Sequence, residues 1–182
     1  MDLEKVLKNL VHQFNKDTIR YGLMGGYAVA IHGYPRSTVD LDFLVDRSDL
    51  AKVDNILHNM GYKIHFRSDN VSQFISDQEL FGEIDFIHAF REASKRMLDQ
   101  ALSIKLFSNG PEIKVLRVED IIGLKVQAIA NAPHRKAQDF DDIKHLVAEN
   151  YSSIDWTLVE EYFNLFQMKD LFFKIKNKSW QD

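Results

Sequence analysis

Two aspartates separated by a single residue, Asp40 and Asp42, and a third at Asp85 are the side chains in this sequence best suited to chemistry. The run Thr38-Val-Asp-Leu-Asp-Phe-Leu-Val45 alternates as a strand does, and side chains at i and i+2 of a strand share a face. Asp40 and Asp42 therefore project together, with Val39, Leu41, Phe43 and Val45 expected on the opposite face. Two like charges held side by side repel, and a divalent cation bound by both is the simplest way to offset that cost. Asp85 stands in Phe81-Gly-Glu-Ile-Asp-Phe-Ile-His88, where Glu83, Asp85 and Ile87 share one face and Ile84, Phe86 and His88 the other. Burying an unpaired carboxylate is expensive, so Asp85 needs a partner. If its strand lies beside the 38–45 strand, three carboxylates converge as a two-metal site, able to activate a hydroxyl and stabilise a leaving pyrophosphate. The alternatives are that Asp85 caps a turn or pairs with a lysine, and that Glu83 neutralises a neighbouring cation.

Upstream, Gly25-Gly26 leads into a short helical run. Glycine lets the backbone come close to a ligand, and a helix start favours an anion. The pair reads as a phosphate cradle beside metal-ready carboxylates, which is nucleotide chemistry.

These residues need elements to hold them. Leu3, Val6, Leu7, Leu10, Val11 and Phe14 predict an amphipathic helix over 2–16. A short strand follows over 21–24, then a helix over 26–31 stopped by Gly33 and Pro35. Ser48 is expected to N-cap a helix that buries Leu50, Val53, Leu57 and Met60 and ends at Gly61. Strands are predicted over 62–66, 71–75 and 80–89, and a helix over 91–100. Segments 103–107 and 113–116 flank Asn109-Gly110, a hairpin-turn signal. From Val118 the pattern is helical, over about 118–131, 135–149 and 155–167 with another to 178, and Pro133 separates the first two. The fold class is α/β (α+β): a mixed sheet flanked by helices with a C-terminal helical region. The expected domains are a core over 1–117 and a helical region over 118–182 that completes the active-site cleft.

At 182 residues and 45% hydrophobic, the chain has the size and balance of one globular domain or a small core with a helical appendage. It has no cysteine, which excludes disulfides and thiolate sites. No apolar run is long enough for a membrane span, and the acidic N-terminus is unlike a signal peptide, so the expected location is cytoplasmic. The formal net charge of −4 gives no general attraction to polyanions, although a local patch can still bind RNA. The basic cluster Lys174, Lys176 and Lys178 reads as a solvated helix end. His32, His88 and His134 are too scattered for a zinc site. His32 is expected to pack or hydrogen-bond at a helix end, and His134-Arg135 could touch substrate. Tyr27 and Tyr34 could stack on a base or simply pack.

Gly25-Gly26, then Asp40-Leu-Asp42, then Asp85 resemble the nucleotidyltransferase superfamily that includes DNA polymerase beta. Lys125-Val-Gln-Ala128 followed by Arg135-Lys136-Ala-Gln-Asp139-Phe-Asp-Asp142 resembles its AbiEii-like branch, often the toxins of toxin–antitoxin systems. Gln138 departs from that pattern, standing where the branch usually has a charged residue. The resemblance covers about residues 20–148. It implies that Asp40 and Asp42 bind Mg²⁺ (or Mn²⁺) bridging the phosphates of an NTP, and that Asp85 holds a second metal near the acceptor hydroxyl. Gly25 and Gly26 would contact the triphosphate, and Lys125 and Arg36 would reach the phosphates. Asp139 would position Lys125 or the catalytic site, against the alternative that Asp139, Asp141 and Asp142 form a solvated acidic stripe. The implied activity is transfer of NMP to an acceptor RNA (a tRNA 3′ end) or protein, with a separate cognate antitoxin as partner. Two alternatives stay open: a catalytically silent nucleotide-binding module, and an aminoglycoside-type small-molecule nucleotidyltransferase.

Overall fold

The computed structural model describes residues 3–77, 82–132 and 136–180. Its contacts divide the chain into two units, residues 1–28 with 37–117, and residues 29–36 with 118–182.

The first unit is built on one seven-stranded mixed sheet flanked by helices. Its strands are β1 (Tyr21–Met24), β2 (Asp40–Asp46), β3 (Tyr62–Arg67), β4 (Val71–Ser76), β5 (Glu83–Ala89), β6 (Leu102–Ile104) and β7 (Ile113–Val115). They lie in the order β3-β4-β5-β2-β1-β7-β6. β2 is central, antiparallel to β1 and parallel to β5. Helices α1 (Leu3–Lys16), α3 (Leu50–Asn59) and α4 (Glu92–Asp99) belong to this unit, and α2 (Gly25–Ile31) runs from β1 across the division at residue 28.

Alternation decides which face of the sheet is core. Val6, Leu7, Leu10, Val11 and Phe14 of α1 are all buried, as their spacing requires. Phe14 meets the sheet on Tyr21, with ring centroids 5.1 Å apart, and on Phe43 at 5.8 Å. Phe43 stacks in turn on Phe86, which Phe74 meets edge-on. Each such ring removed from water contributes roughly 1.5–3 kcal/mol. The odd positions of β2 thus fill an aromatic core, and its even positions face the other way.

The structure corrects several sequence expectations. β2 begins at Asp40, not Thr38, and Val39 is 79% exposed instead of filling the core face. The alternating pattern simply runs on into the loop before the strand. Ser48 is not an N-cap. Asp46 caps a 3₁₀ turn at Arg47–Asp49 by accepting from the Ser48 N–H, and α3 follows with no side-chain cap bond from Asp49. Burial opposes ionisation of Asp46, but the Ser48 N–H and hydroxyl and the Arg20 guanidinium outweigh it and hold this carboxyl below its usual range. The Asn109-Gly110 signal does form a turn, with the Gly110 N–H donating to the Phe107 carbonyl at 3.3 Å, but the flanking strands are shorter than expected. β6 stops at Ile104, and residues 105–112 connect it to its antiparallel partner β7.

The second unit is helical: α5 (Val118–Asn131), α6 (Lys136–Asn150), α7 (Trp156–Leu165) and α8 (Lys169–Lys176). A Cβ at Gly123 of α5 would lie 2.6 Å from the Tyr162 ring of α7, so the absent side chain sets how closely these helices approach. The Tyr162 hydroxyl donates to the buried Asp120 at 2.7 Å. Asp155 caps α7 by accepting from the N–H groups of Thr157 and Leu158. Pro133, expected to part α5 from α6, lies outside the described residues. Among the described residues no helix is long and apolar enough to cross a membrane.

Candidate metal and nucleotide site

The register of the central strands creates the first cluster. Asp42 on β2 lies directly opposite Asp85 on parallel β5, and Asp40 lies opposite Glu83. Cross-strand partners share a face, so Asp40, Asp42 and Asp85 converge, and one ligand oxygen from each lies within 4.8 Å of the others. All three are half-buried, while Glu83 is exposed. The Thr38 hydroxyl donates to Asp40 Oδ1 at 2.6 Å, and the Gln73 amide, from β4, donates to Asp85 Oδ2 at 3.4 Å.

Gly25 is shaped by this cluster. It sits at φ +64°, and a Cβ there would collide with the Asp42 carboxylate. Only glycine fits both the backbone angle and the space. Gly26 is buried in the first turn of α2. Hard carboxylate oxygens converging in a half-buried setting that water can reach are the donor set for Mg²⁺ or Mn²⁺, so the residues fit the metal that the motif implied.

The second cluster lies within the helical unit. Lys125 Nζ on α5 is buried and contacts Asp139 Oδ1 at 3.1 Å and Asp142 Oδ2 at 2.6 Å, both on α6. Arg36, from the 29–36 segment, grips the same Asp142 with two bonds, Nε to Oδ1 at 2.8 Å and Nη2 to Oδ2 at 3.0 Å. Charges thus alternate along Asp139–Lys125–Asp142–Arg36. Asp139 and Asp142 are 3% and 1% exposed, so these two do not belong to a solvated stripe. They share the buried side of α6 with Ile143, Leu146 and Val147. Only Asp141 is open to water, where the hydrogen bond and charge of Lys144 hold its carboxyl below the usual range.

Other residues singled out in the sequence have plainer surroundings. The Tyr34 ring stacks on His145 at 3.7 Å. The carbonyl of His32, just past α2, accepts from the Asn150 side chain. His88 is buried, with Nε2 3.0 Å from the Ser72 hydroxyl. Lys176 lies over the Trp156 and Phe172 rings, and Lys178 over Tyr151. His134, Arg135 and the Lys136 side chain lie outside the described residues. Sequence reasoning missed Thr38, Gln73 and the Arg36–Asp142 pair. Gln73 shares a face of β4 with the apolar Val71 and Ile75, which was a usable signal, but no local pattern links residues 106 positions apart.

The sequence family described as uncharacterised nucleotidyltransferase matches residues 2–175. No curated protein matches the chain in sequence. Among solved structures, the antibiotic-resistance factor ANT(2'')-Ia in solution aligns with a TM-score of 0.66 at 12% identity, covering 96% of each chain. An antigenic nucleotidyltransferase-like protein from Paracoccidioides brasiliensis aligns with a TM-score of 0.58 at 17% identity, covering 97% of this chain and 92% of its own. The lincosamide antibiotic adenylyltransferase LnuA, bound to lincomycin, aligns with a TM-score of 0.53 at 19% identity, covering 79% and 95%. At these identities the likeness is one of fold.

Proposed function

The chain belongs to the uncharacterised nucleotidyltransferase family, and from that membership we propose that it moves a nucleoside monophosphate from an NTP to an acceptor hydroxyl. The observation that carries this reading is the convergence of Asp40, Asp42 and Asp85 on one sheet face, with Gly25 cut back to make room for Asp42. In the transfer, the acceptor oxygen bonds to the α-phosphorus, and the bond from that phosphorus to the pyrophosphate oxygen breaks. Pyrophosphate departs with the electron pair, and the hydroxyl proton passes to the Asp85 carboxylate. Asp40 and Asp42 would hold Mg²⁺ or Mn²⁺, with Asp85 beside them. When bound, such a metal neutralises charge developing on the phosphate oxygens.

The remaining residues act by positioning. The Gln73 amide fixes one oxygen of Asp85, and the Thr38 hydroxyl fixes Asp40. Backbone at Gly25 and Gly26 is assigned to the triphosphate. Lys125 and Arg36 are assigned to the nucleotide, with Asp139 and Asp142 holding the two cations in place.

Two observations point to different acceptors. The near full-length fold likeness to ANT(2'')-Ia, and that to LnuA, favour a small molecule. The resemblance of Lys125…Asp139…Asp142 to the AbiEii-like motif favours a tRNA 3′ end or a protein, and with it a toxin restrained by an antitoxin. The test is incubation with each α-labelled NTP and Mg²⁺, followed by separation of RNA, protein and small-molecule fractions. Label appearing in one fraction identifies the acceptor class. Full transfer by Asp42→Asn and Asp85→Asn variants would remove the mechanism.

A further inference from the structure

The sheet face that carries the carboxylates continues past them to an edge with an unusual side chain. Reading across the strands in register, Asp42 of β2 lies opposite Asp85 of β5, Asp85 opposite Gln73 of β4, and Gln73 opposite Phe66 of β3. Phe66 is in this row because the β3–β4 register shifts between Ile64 and Phe66. In the unshifted register His65 would stand opposite Gln73 and Phe66 would face the other side with Ser72. The flanking pairs agree. Ile64 is opposite Phe74 and Arg67 opposite Ser72, both on the aromatic-core side, and Arg67 reaches Asp54 of α3 on that side. The bulge therefore delivers a large apolar ring, 50% exposed, to the same face as the catalytic carboxylates. A half-exposed ring on an edge strand is an aggregation hazard that a protein usually blunts.

We propose that Phe66 and Gln73 select the acceptor, and that the acceptor is a small hydroxyl-bearing molecule with a flat apolar ring, neutral or cationic. The span fixes its size. Two strand spacings of about 4.8 Å separate the Asp85 position from Phe66, so ring and reacting hydroxyl stand about 10 Å apart, the reach of a two-ring molecule. Gln73, between them, presents amide groups to the polar middle of such a molecule. Charge argues against a nucleic-acid end. Asp40, Asp42, Asp85 and the exposed Glu83 all lie on this face, and its Lys63, at the β3 edge, is already paired with Asp77. With Asp40 and Asp42 given to the metal, a nucleic-acid backbone running on toward the β3 edge would meet the exposed Glu83 and a lysine already paired, whereas a ring with an amine would meet complementary charge.

The inference rests on the nucleotidyl-transfer reading, and its test separates the two. The probes are p-nitrophenyl β-D-glucoside and methyl β-D-glucoside, which share a sugar and differ in the ring, followed by saturation-transfer NMR on the Mg²⁺-treated protein. The ring-bearing probe should bind more tightly, and Phe66→Ala should weaken it about fivefold, to the level of the methyl probe. Phe173→Ala, which removes an exposed ring of the helical unit, should change nothing. Equal binding by Phe66→Ala, no advantage for the ring-bearing probe, or displacement of that probe by bulk tRNA would each overturn the proposal. Mg²⁺-dependent binding of α-labelled NTP, measured by equilibrium dialysis on the same samples, should be unchanged in Phe66→Ala. Its absence from the parent protein would instead overturn the nucleotidyl-transfer reading itself.

Discussion

The molecule holds aspartates in two clusters, and it treats them in opposite ways. In the sheet unit, Asp40, Asp42 and Asp85 converge while only half-buried, and Thr38 and Gln73 give Asp40 and Asp85 neutral hydrogen-bond donors. In the helical unit, Asp139 and Asp142 are removed from water, and Lys125 and Arg36 are built in against them. Burial explains the second arrangement. A carboxylate out of water must be matched by opposite charge or by hydrogen bonds of the chain, because taking an uncompensated charge out of solvent costs several kcal/mol. Exposure permits the first, since a cation from solution can enter and leave. The comparison distinguishes carboxylates that hold the protein together from carboxylates placed to hold something else.

Substitution can break this distinction, and the largest effect should fall on activity. Asp42→Asn should lower transfer by about a thousandfold or more, on the scale seen when a transition-state contact of about 4 kcal/mol is removed. Its thermal midpoint should stay level or rise, because the change relieves like-charge repulsion. Asp142→Asn should do the reverse to stability. It leaves the buried Lys125 and the half-buried Arg36 without their shared anion, an expected loss of about 3–5 kcal/mol by urea titration. If Asp42→Asn unfolds the protein and Asp142→Asn does not, the assignment of the two clusters is backwards. Gly25→Ala lies between them. Its left-handed backbone and its closeness to Asp42 predict a loss of about 1–3 kcal/mol, with transfer lowered because the carboxylate must move.

The two clusters were not equally legible in the sequence. The sheet cluster was written in local patterns, an i, i+2 pair in one strand and an aspartate in another apolar run. Parallel pairing of β2 with β5 was the only step needed to bring them together. The helical cluster joins Arg36 to Asp142 across most of the chain, which no periodicity reports. The resemblance set Asp139 and Asp142 apart and joined Asp139 to Lys125, but helical spacing alone did not part them from Asp141, and packing buried two of the three. The same limit applies to the fold. Helix α1 and strands β1, β4 and β5 follow from apolar spacing, whereas the β3 bulge comes from pairing between strands, and the Asp46 cap replaced an equally plausible Ser48. The turn signal at Asn109-Gly110 was legible and forms, while the short extent of β6, which ends at Ile104, was not.

Acidification should produce the smallest effect and sharpen the comparison from the side of a neutral buried group. His88 lies between the Ser72 hydroxyl and the Asp69 carbonyl, 3.1 Å from Nδ1, so Nδ1 donates and Nε2 accepts. Burial first, and then the Arg67 and Arg47 guanidiniums, push its pKa below the ordinary 6.5, against the pull of the Asp69 carbonyl. The unfolded chain therefore binds a proton more readily than the folded one, and stability rises with pH across the interval between the two pKa values. This contribution is complete above about pH 6.5 and is lost as the pH falls toward the lowered folded value. Asp46 acts lower on the scale. Its depressed carboxyl contributes stability above about 3.8 and loses it as the pH drops through the folded value. Urea midpoints from pH 7.5 to 5 should thus decline gently, and His88→Gln should flatten that decline while leaving the steeper loss below pH 4 in place. A decline in this window that persists in His88→Gln would assign the proton to another group.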